Sequence, residues 1–379
     1  MKFFVSLSLL LAFLLSPLAV QARDDAPYIG DQLEYRSKYE DTFVHLARDY
    51  KLGFVEMRAA NPDVDPWLPG EGTTLTLPTR HIFPDAPHDG IVINLPEMRL
   101  YAFLEGKEPV TFPLGVGREG LETPTGTTKI VRKKEGPIWT PTPRMREDDP
   151  LLKESYGPGP DNPMGTHAMY LGWPQYAIHG TNRPFGIGRR VSSGCIRMYP
   201  EDIEVFFEMV PVGTKVTVVD QPIKLAWIED KLFIEAHPNL EQAFEMEETA
   251  QISSSKLSDD DMERIIAAAG EYGDRIRWSA VRTAVRERKG IPVYIARRPG
   301  TEDLSAAEGE EEIDFELEQA ELEKIKEEAR GVLQDVYEGG DSMSEEVNGE
   351  AGVSEEQDDV QNAAFESEPH PMEDITLNP

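Results

Sequence analysis

The chain has one cysteine, Cys195, in 379 residues. It closes a stretch that begins at a histidine: His179-Gly180-Thr181-Asn182-Arg183-Pro184-Phe185-Gly186-Ile187-Gly188-Arg189-Arg190-Val191-Ser192-Ser193-Gly194-Cys195-Ile196-Arg197-Met198. A thiol becomes a useful nucleophile when an adjacent imidazole takes its proton and nearby positive charge stabilises the thiolate. Arg189, Arg190 and Arg197 supply that charge within an otherwise acidic protein. Gly194 lets the backbone approach a substrate closely, so the amides of Ser193, Gly194 and Cys195 are candidate oxyanion donors. A lone cysteine is more often buried and inert; here its neighbours favour reactivity. One cysteine also excludes an intramolecular disulfide and a Cys-based metal cage.

Elements that could position these groups are legible on both sides. Residues 89 to 220 read as mainly β: Ile91–Ile93 and Arg99–Phe103 make a hairpin around Pro96-Glu97, and short strands follow at 111–116, 127–132, 167–171, 176–179 and 215–219. The stretch from Tyr199 to Val210 reads as a helix, with Pro200 in its first turn, Glu201 and Asp202 at its positive end, and Ile203, Phe206, Phe207 and Val210 on one face. Short strands with one packing helix predict a β-sandwich or barrel-like domain. Ahead of it, residues 34–79 read as strand, helix, helix, strand, with Asp41 or Thr42 as a helix cap and a Pro/Gly-rich connection from Asn61 to Gly70. Behind it, residues 221–300 hold a strand pair at 224–238, helices at 258–270 and 278–285, and a strand at 291–296.

The ends and the charge bound the setting. Lys2 followed by an apolar run from Phe3 to Val20 reads as a secretory signal peptide over residues 1–22, with cleavage expected after Ala22; an uncleaved anchor is the competing reading. No other run approaches that length, so no transmembrane segment is expected after cleavage. The formal net charge is −32, which argues against nucleic acid as a partner. Most of that charge lies in residues 301–379, an acidic tail with 27 Asp and Glu against three Lys and Arg, for which a helix as far as Val336 and then disorder are expected.

The His179-to-Cys195 stretch closely resembles the active-site signature of the L,D-transpeptidase (YkuD) catalytic domain: His-Gly, a spacer, then Ser-x-Gly-Cys with an apolar residue and Arg. Pro124-Thr125-Gly126 and Gly165 to Tyr170 extend the likeness over residues 89–220. Many members carry His where this chain has Ser193; serine also occurs there in the Gram-negative periplasmic branch. Residues 34–79 resemble the LysM module, which binds peptidoglycan glycan strands, and the stretch 221–300 resembles the C-terminal extension of that branch. The resemblance implies Cys195 as nucleophile toward the diaminopimelate–D-Ala bond of a tetrapeptide stem and His179 as base. It further implies that the Gly180 carbonyl holds the imidazole tautomer and that Arg197 pairs with a substrate carboxylate. His167 and Arg190 are further candidates for binding substrate. The acceptor would be an amine of another stem or of an outer-membrane lipoprotein lysine, in the periplasm, with no cofactor and no metal. Two competitors stay open: a carboxypeptidase or amidase on the same scaffold, with water as acceptor, and a non-catalytic peptidoglycan-binding protein. His81 and His88, flanking a Pro-rich linker, make a poor metal site.

Overall fold

The computed structural model describes residues 26–253 and 256–299. The expected signal peptide and the acidic tail lie outside the described residues. Strand β1 (Tyr28–Ile29) pairs with β4 (His81–Ile82), and between them β2 (Leu33–Arg36), helices α1 (Phe43–Asp49) and α2 (Phe54–Ala60), and β3 (Thr74–Leu77) follow in order. The Thr42 hydroxyl caps α1 by accepting from the His45 amide, and Phe43, Leu46 and Ala47 turn inward. The Asn61 side chain ties the end of α2 to β3: its amide donates to the Met57 and Thr76 carbonyls and its oxygen accepts from the Thr76 amide.

The next region is built on one curled sheet. Its strands are β5 (Gly90–Asn94), β6 (Arg99–Phe103), β7 (Val110–Pro113), β9 (Gly126–Glu135), β10 (His167–Leu171), β11 (Ala177–His179), β13 (Ile196–Arg197) and β14 (Lys215–Val219); β8 (Val116–Gly117) and β12 (Arg190–Ser192) form a separate parallel ribbon. The spatial order is β13-β11-β10-β9-β14-β5-β6-β7. In the region expected as a sandwich or barrel-like domain, the strands form one curled sheet in which the long β9 serves two neighbours. Gly126 to Lys129 pair with β14, while Ile130 to Glu135 pair with β10, with a register shift at Tyr170/Leu171. Such an irregularity bends a strand, so the sheet turns there. Helix α3 (Pro143–Asp148) lies in the long β9–β10 connection, and α4 (Pro200–Met209) packs on β10.

The first module is not a separate bead. Phe43, Leu52, Met57 and Leu75 share one continuous core with Ile91, Leu100, Ile178, Ile196 and Phe206 of the sheet region. Helix α5 (Leu240–Thr249), missed in the sequence reading, belongs to the same core through Ala243 and Met246 and packs against α2. Arg48 bridges to Glu201 at 2.8 Å, and Lys51 bridges to Asp202. Most intimate is the contact at Gly188, whose carbonyl accepts from the Val55 amide at 3.2 Å. Gly188 has φ +76°, and a Cβ there would lie 2.2 Å from the Phe54 nitrogen, so only glycine fits.

After β14 the chain forms an antiparallel sheet of β15 (Ile223–Ile228), β16 (Lys231–Ala236) and β17 (Val293–Arg297), covered by α6 (Asp259–Ala269) and α7 (Trp278–Glu287) around a second core. A buried ionic cluster joins this extension to the rest. Lys224 Nζ lies 2.6 Å from Glu97 Oε2 and 2.7 Å from Glu235 Oε1, and donates to the Ile82 carbonyl at 2.6 Å. His237 Nε2 meets Glu235 Oε1 at 2.7 Å, and the Tyr101 hydroxyl donates to Glu97 at 2.9 Å. Nearby, Arg99 pairs with Glu56 of α2 at 2.7 Å. Removing one member of such a cluster leaves a buried charge without its partner. Lys224→Met is therefore expected to lower the unfolding free energy by about 3–5 kcal/mol in urea titrations. Lys215→Met, which breaks a half-exposed contact to Asp89, is expected to cost less than about 1 kcal/mol. Equal small losses for both variants would show that the cluster carries no such weight.

Candidate active site

Strand register brings the chemical groups together. β11 and β13 run parallel, with Ile178 opposite Ile196 and His179 opposite Arg197. Ile178 and Ile196 face the main core, whereas Ala177 and Cys195 lie in a second cluster with Trp139, Met145, Met164, Ala168 and Tyr170. Side chains alternate along a strand, so Cys195, two positions before Arg197, shares a face with Arg197 and His179. Strand spacing of about 4.8 Å and a rise of about 3.3 Å per residue put the Cys195 and His179 backbones roughly 8 Å apart, within side-chain reach.

The imidazole is held on one nitrogen. His179 Nδ1 lies 2.6 Å from the Gly180 carbonyl; a carbonyl only accepts, so Nδ1 carries hydrogen and Nε2 is left as the basic nitrogen. Burial, and after it the Arg197 guanidinium, hold the ring's pKa down to about 3, against the contrary pull of the Gly180 and Met164 backbone. The resting ring is neutral. Cys195 is 4% exposed, and its thiol donates to the Gln175 carbonyl at 3.4 Å. It shares a buried cluster with Trp139, Met145 and Met164 from the β9–β10 connection.

The turn ahead of the thiol is pinned by two hydroxyls. Thr123 Oγ1 donates to the Gly194 carbonyl at 2.8 Å and accepts from the Gly117 amide. Ser192 Oγ donates to the Cys195 carbonyl at 2.5 Å and accepts from the Gly194 amide at 3.2 Å. The Gly194 amide is thus engaged by Ser192 within the turn. Gly194 itself has φ +102°, and a Cβ there would meet the Tyr176 ring at 2.8 Å. Sequence reasoning passed over Thr123, Ser192 and Tyr176, although the pattern Ser192-Ser193-Gly194 is the signal of a side-chain-braced turn.

Other sequence candidates go elsewhere. His167 shares its sheet face with Met169, opposite the thiol, and its ring lies 4.6 Å from that of Phe207 on α4. The alternation Ala168, Tyr170 against His167, Met169 is the reason. Arg190 donates to the Leu240 carbonyl at 2.6 Å and the Gly117 carbonyl at 3.3 Å, and Arg189 pairs with Glu247 while lying 3.8 Å over the Phe54 ring. These two arginines tie the loop to its neighbours. His81, Glu97 and Glu235 bring ligand atoms within 4.8 Å of one another. Because Lys224 sits between two of these carboxylates, a protein ammonium already supplies their counter-charge.

Comparison with known proteins points one way. Residues 88–218 match the YkuD family, the L,D-transpeptidase catalytic domain. The chain is 47% identical over 222 residues to the probable L,D-transpeptidase YbiS of Escherichia coli strain K12, covering 56% of this chain and 72% of that protein. It is 40% identical to the probable L,D-transpeptidase ErfK/SrfK of Salmonella typhimurium, covering 67% and 83%. It is 39% identical to the probable L,D-transpeptidase YcfS of Escherichia coli strain K12, covering 66% and 79%.

A neutral buried imidazole has a thermodynamic signature. The unfolded chain binds a proton near pH 6.5 that His179 in the folded chain refuses until about pH 3. Stability should therefore be lost as pH falls through that window, by up to about 1.4 kcal/mol per pH unit from this group. His179→Gln is expected to flatten the pH dependence of the unfolding free energy by that slope. Parallel curves for variant and parent would contradict a neutral, buried ring.

Proposed function

The chain belongs to the L,D-transpeptidase family, and from that premise we propose that it transfers peptidoglycan stem peptides through a thioester on Cys195. The observation that carries this reading is the placement of His179, Arg197 and the Cys195 turn on one face of adjacent parallel strands. His179 Nε2 takes the thiol proton as Sγ attacks the carbonyl of diaminopimelate at stem position three. The oxyanion develops beside the backbone of the Ser193–Cys195 turn. Collapse breaks the amide bond, and the imidazolium returns its proton to the departing D-Ala amine, leaving a thioester. An acceptor amine from a second stem peptide or a lipoprotein lysine then enters, gives its proton to His179 and expels the thiolate as the new amide forms. Arg197 pairs with a carboxylate of the substrate.

Burial of the thiol in a cluster with Trp139, Met145 and Met164 favours transfer over hydrolysis, since a buried thioester is shielded from water until an acceptor is seated. Residues 34–79 are assigned to binding the glycan strand as a LysM module; their order of strand, helix, helix, strand and the exposed Trp67 and Leu68 support that role. Such a substrate places the mature protein in the periplasm. No described helix is long and apolar enough to cross a membrane.

Incubation of the purified protein with disaccharide-tetrapeptides is expected to yield dimers joined through diaminopimelate, together with free D-Ala. Cys195→Ala should yield neither. Tripeptide as the sole product, by mass spectrometry, would replace transferase with hydrolase; unchanged tetrapeptide would leave a binding protein.

A further inference from the structure

Two rows of side chains cross the sheet on the thiol's face. Lys134, Ala168, His179 and Arg197 are successive partners across β9, β10, β11 and β13. Arg132, Tyr170 and Ala177 form the second row, which Cys195 completes by its place one residue before the Ile178–Ile196 pair. The face on which Cys195 lies is therefore bounded by cations at both edges, Arg197 on one side and Arg132 with Lys134 on the other. The interior between them is His179, Tyr170 and two alanines, with Trp139, Met145 and Met164 in the same buried cluster.

Arg132 differs from the other arginines near the site. Arg189 and Arg190 are tied to Glu247, Leu240 and Gly117. The exposed Arg132 side chain makes no ion pair or hydrogen bond among the described residues, and its guanidinium lies 3.9 Å from the centroid of the Tyr170 ring. Tyr170 is 5% exposed and packs in the cluster that holds Cys195. Stacking on an aromatic face fixes the plane of a guanidinium while leaving its N–H edge available to a carboxylate. Lys134, also exposed, lines an open cleft of about 1110 Å³ together with Lys133, Glu135, Asn162, His167 and Glu204.

We propose that Arg132 is a specificity-determining residue that binds a free carboxylate of the donor stem peptide, across the thiol from Arg197, with Lys134 reinforcing the field. The inference rests on the transpeptidase reading above. A stem peptide carries carboxylates at positions two and three besides its terminal one. β9 and β13 are three strand spacings apart, about 14 Å, so two arginines reaching inward can hold a donor by groups on either side of the scissile bond. Such pairing adds no chemical step: it orients the carbonyl over Sγ and discriminates against amidated stems.

The test is steady-state transfer with three donor tetrapeptides: all carboxylates free, amidated at position two, and amidated at position three. Arg132→Ala is expected to raise the donor KM about 10- to 100-fold on the free donor with kcat little changed. On the donor amidated at the position Arg132 reads, wild type and variant should become alike, which also identifies the carboxylate. Arg132→Lys should recover part of the loss, and Lys107→Ala, a charge removed from the distant β6–β7 turn, should have no effect. A KM for Arg132→Ala within about twofold of wild type on the free donor would overturn the inference. An equal penalty on all three donors would overturn it too, because a packing role ignores amidation. If wild type turns over none of the donors, the transpeptidase reading falls and the inference falls with it.

Discussion

The parallel pairing of β11 with β13 is the constraint from which the rest of the site follows. It sets His179 opposite Arg197 and turns Cys195 to the same face. Parallel neighbours cannot be joined by a tight turn, so the chain from Gly180 to Cys195 must cross over and return. In many folds a helix makes that crossover and pays for itself by packing. Here the crossover is a loop with one short 3₁₀ turn at Pro184–Gly186, and it has to be held from outside.

The holding explains why the first module shares a core with the sheet. Gly188 sits against the start of α2, Arg189 reaches Glu247 on α5 and stacks on Phe54, and Arg190 is fixed by the Leu240 and Gly117 carbonyls. The basic loop is anchored on the first module and α5, so a ligand seated on the first module would sit on the same body that positions the thiol. The ionic cluster of Glu97, Lys224, Glu235 and His237 does the corresponding work at the other end, fastening the extension to β6.

Local signals read well from sequence, and pairings across long chain separations did not. The cap at Thr42, the helix opened by Pro200 and the hairpin of β5 and β6 each follow from a few neighbouring residues. Helix α5 was passed over although Asn239 and Gln242 form a reciprocal capping box; its buried stripe is short and gains meaning only against α2. Alternation along β10 tells that His167 and Met169 share one face and Ala168 and Tyr170 the other, but not which face holds the thiol. Lys224 and Glu97 are 127 positions apart, and charged residues in strands ordinarily point to water. The nucleophile and base were legible because their types and spacing are local to one loop, whereas Thr123 and Ser192, which brace that turn, carry no chemistry of their own to mark them.

A neutral imidazole beside a covered thiol describes a resting state that is chemically quiet until a substrate fills the site. Burial, and after it Arg197, hold the ring in that state by disfavouring the imidazolium. The central claim, that the reaction passes through a thioester on Cys195, is tested most directly by intact-protein mass spectrometry of enzyme mixed with tetrapeptide donor and no acceptor. The account predicts a mass gain equal to the tripeptide acyl group, located to the Cys195 peptide and discharged on adding an amine. Release of D-Ala by a Cys195→Ala variant, or an acyl group found on any other residue, would contradict it.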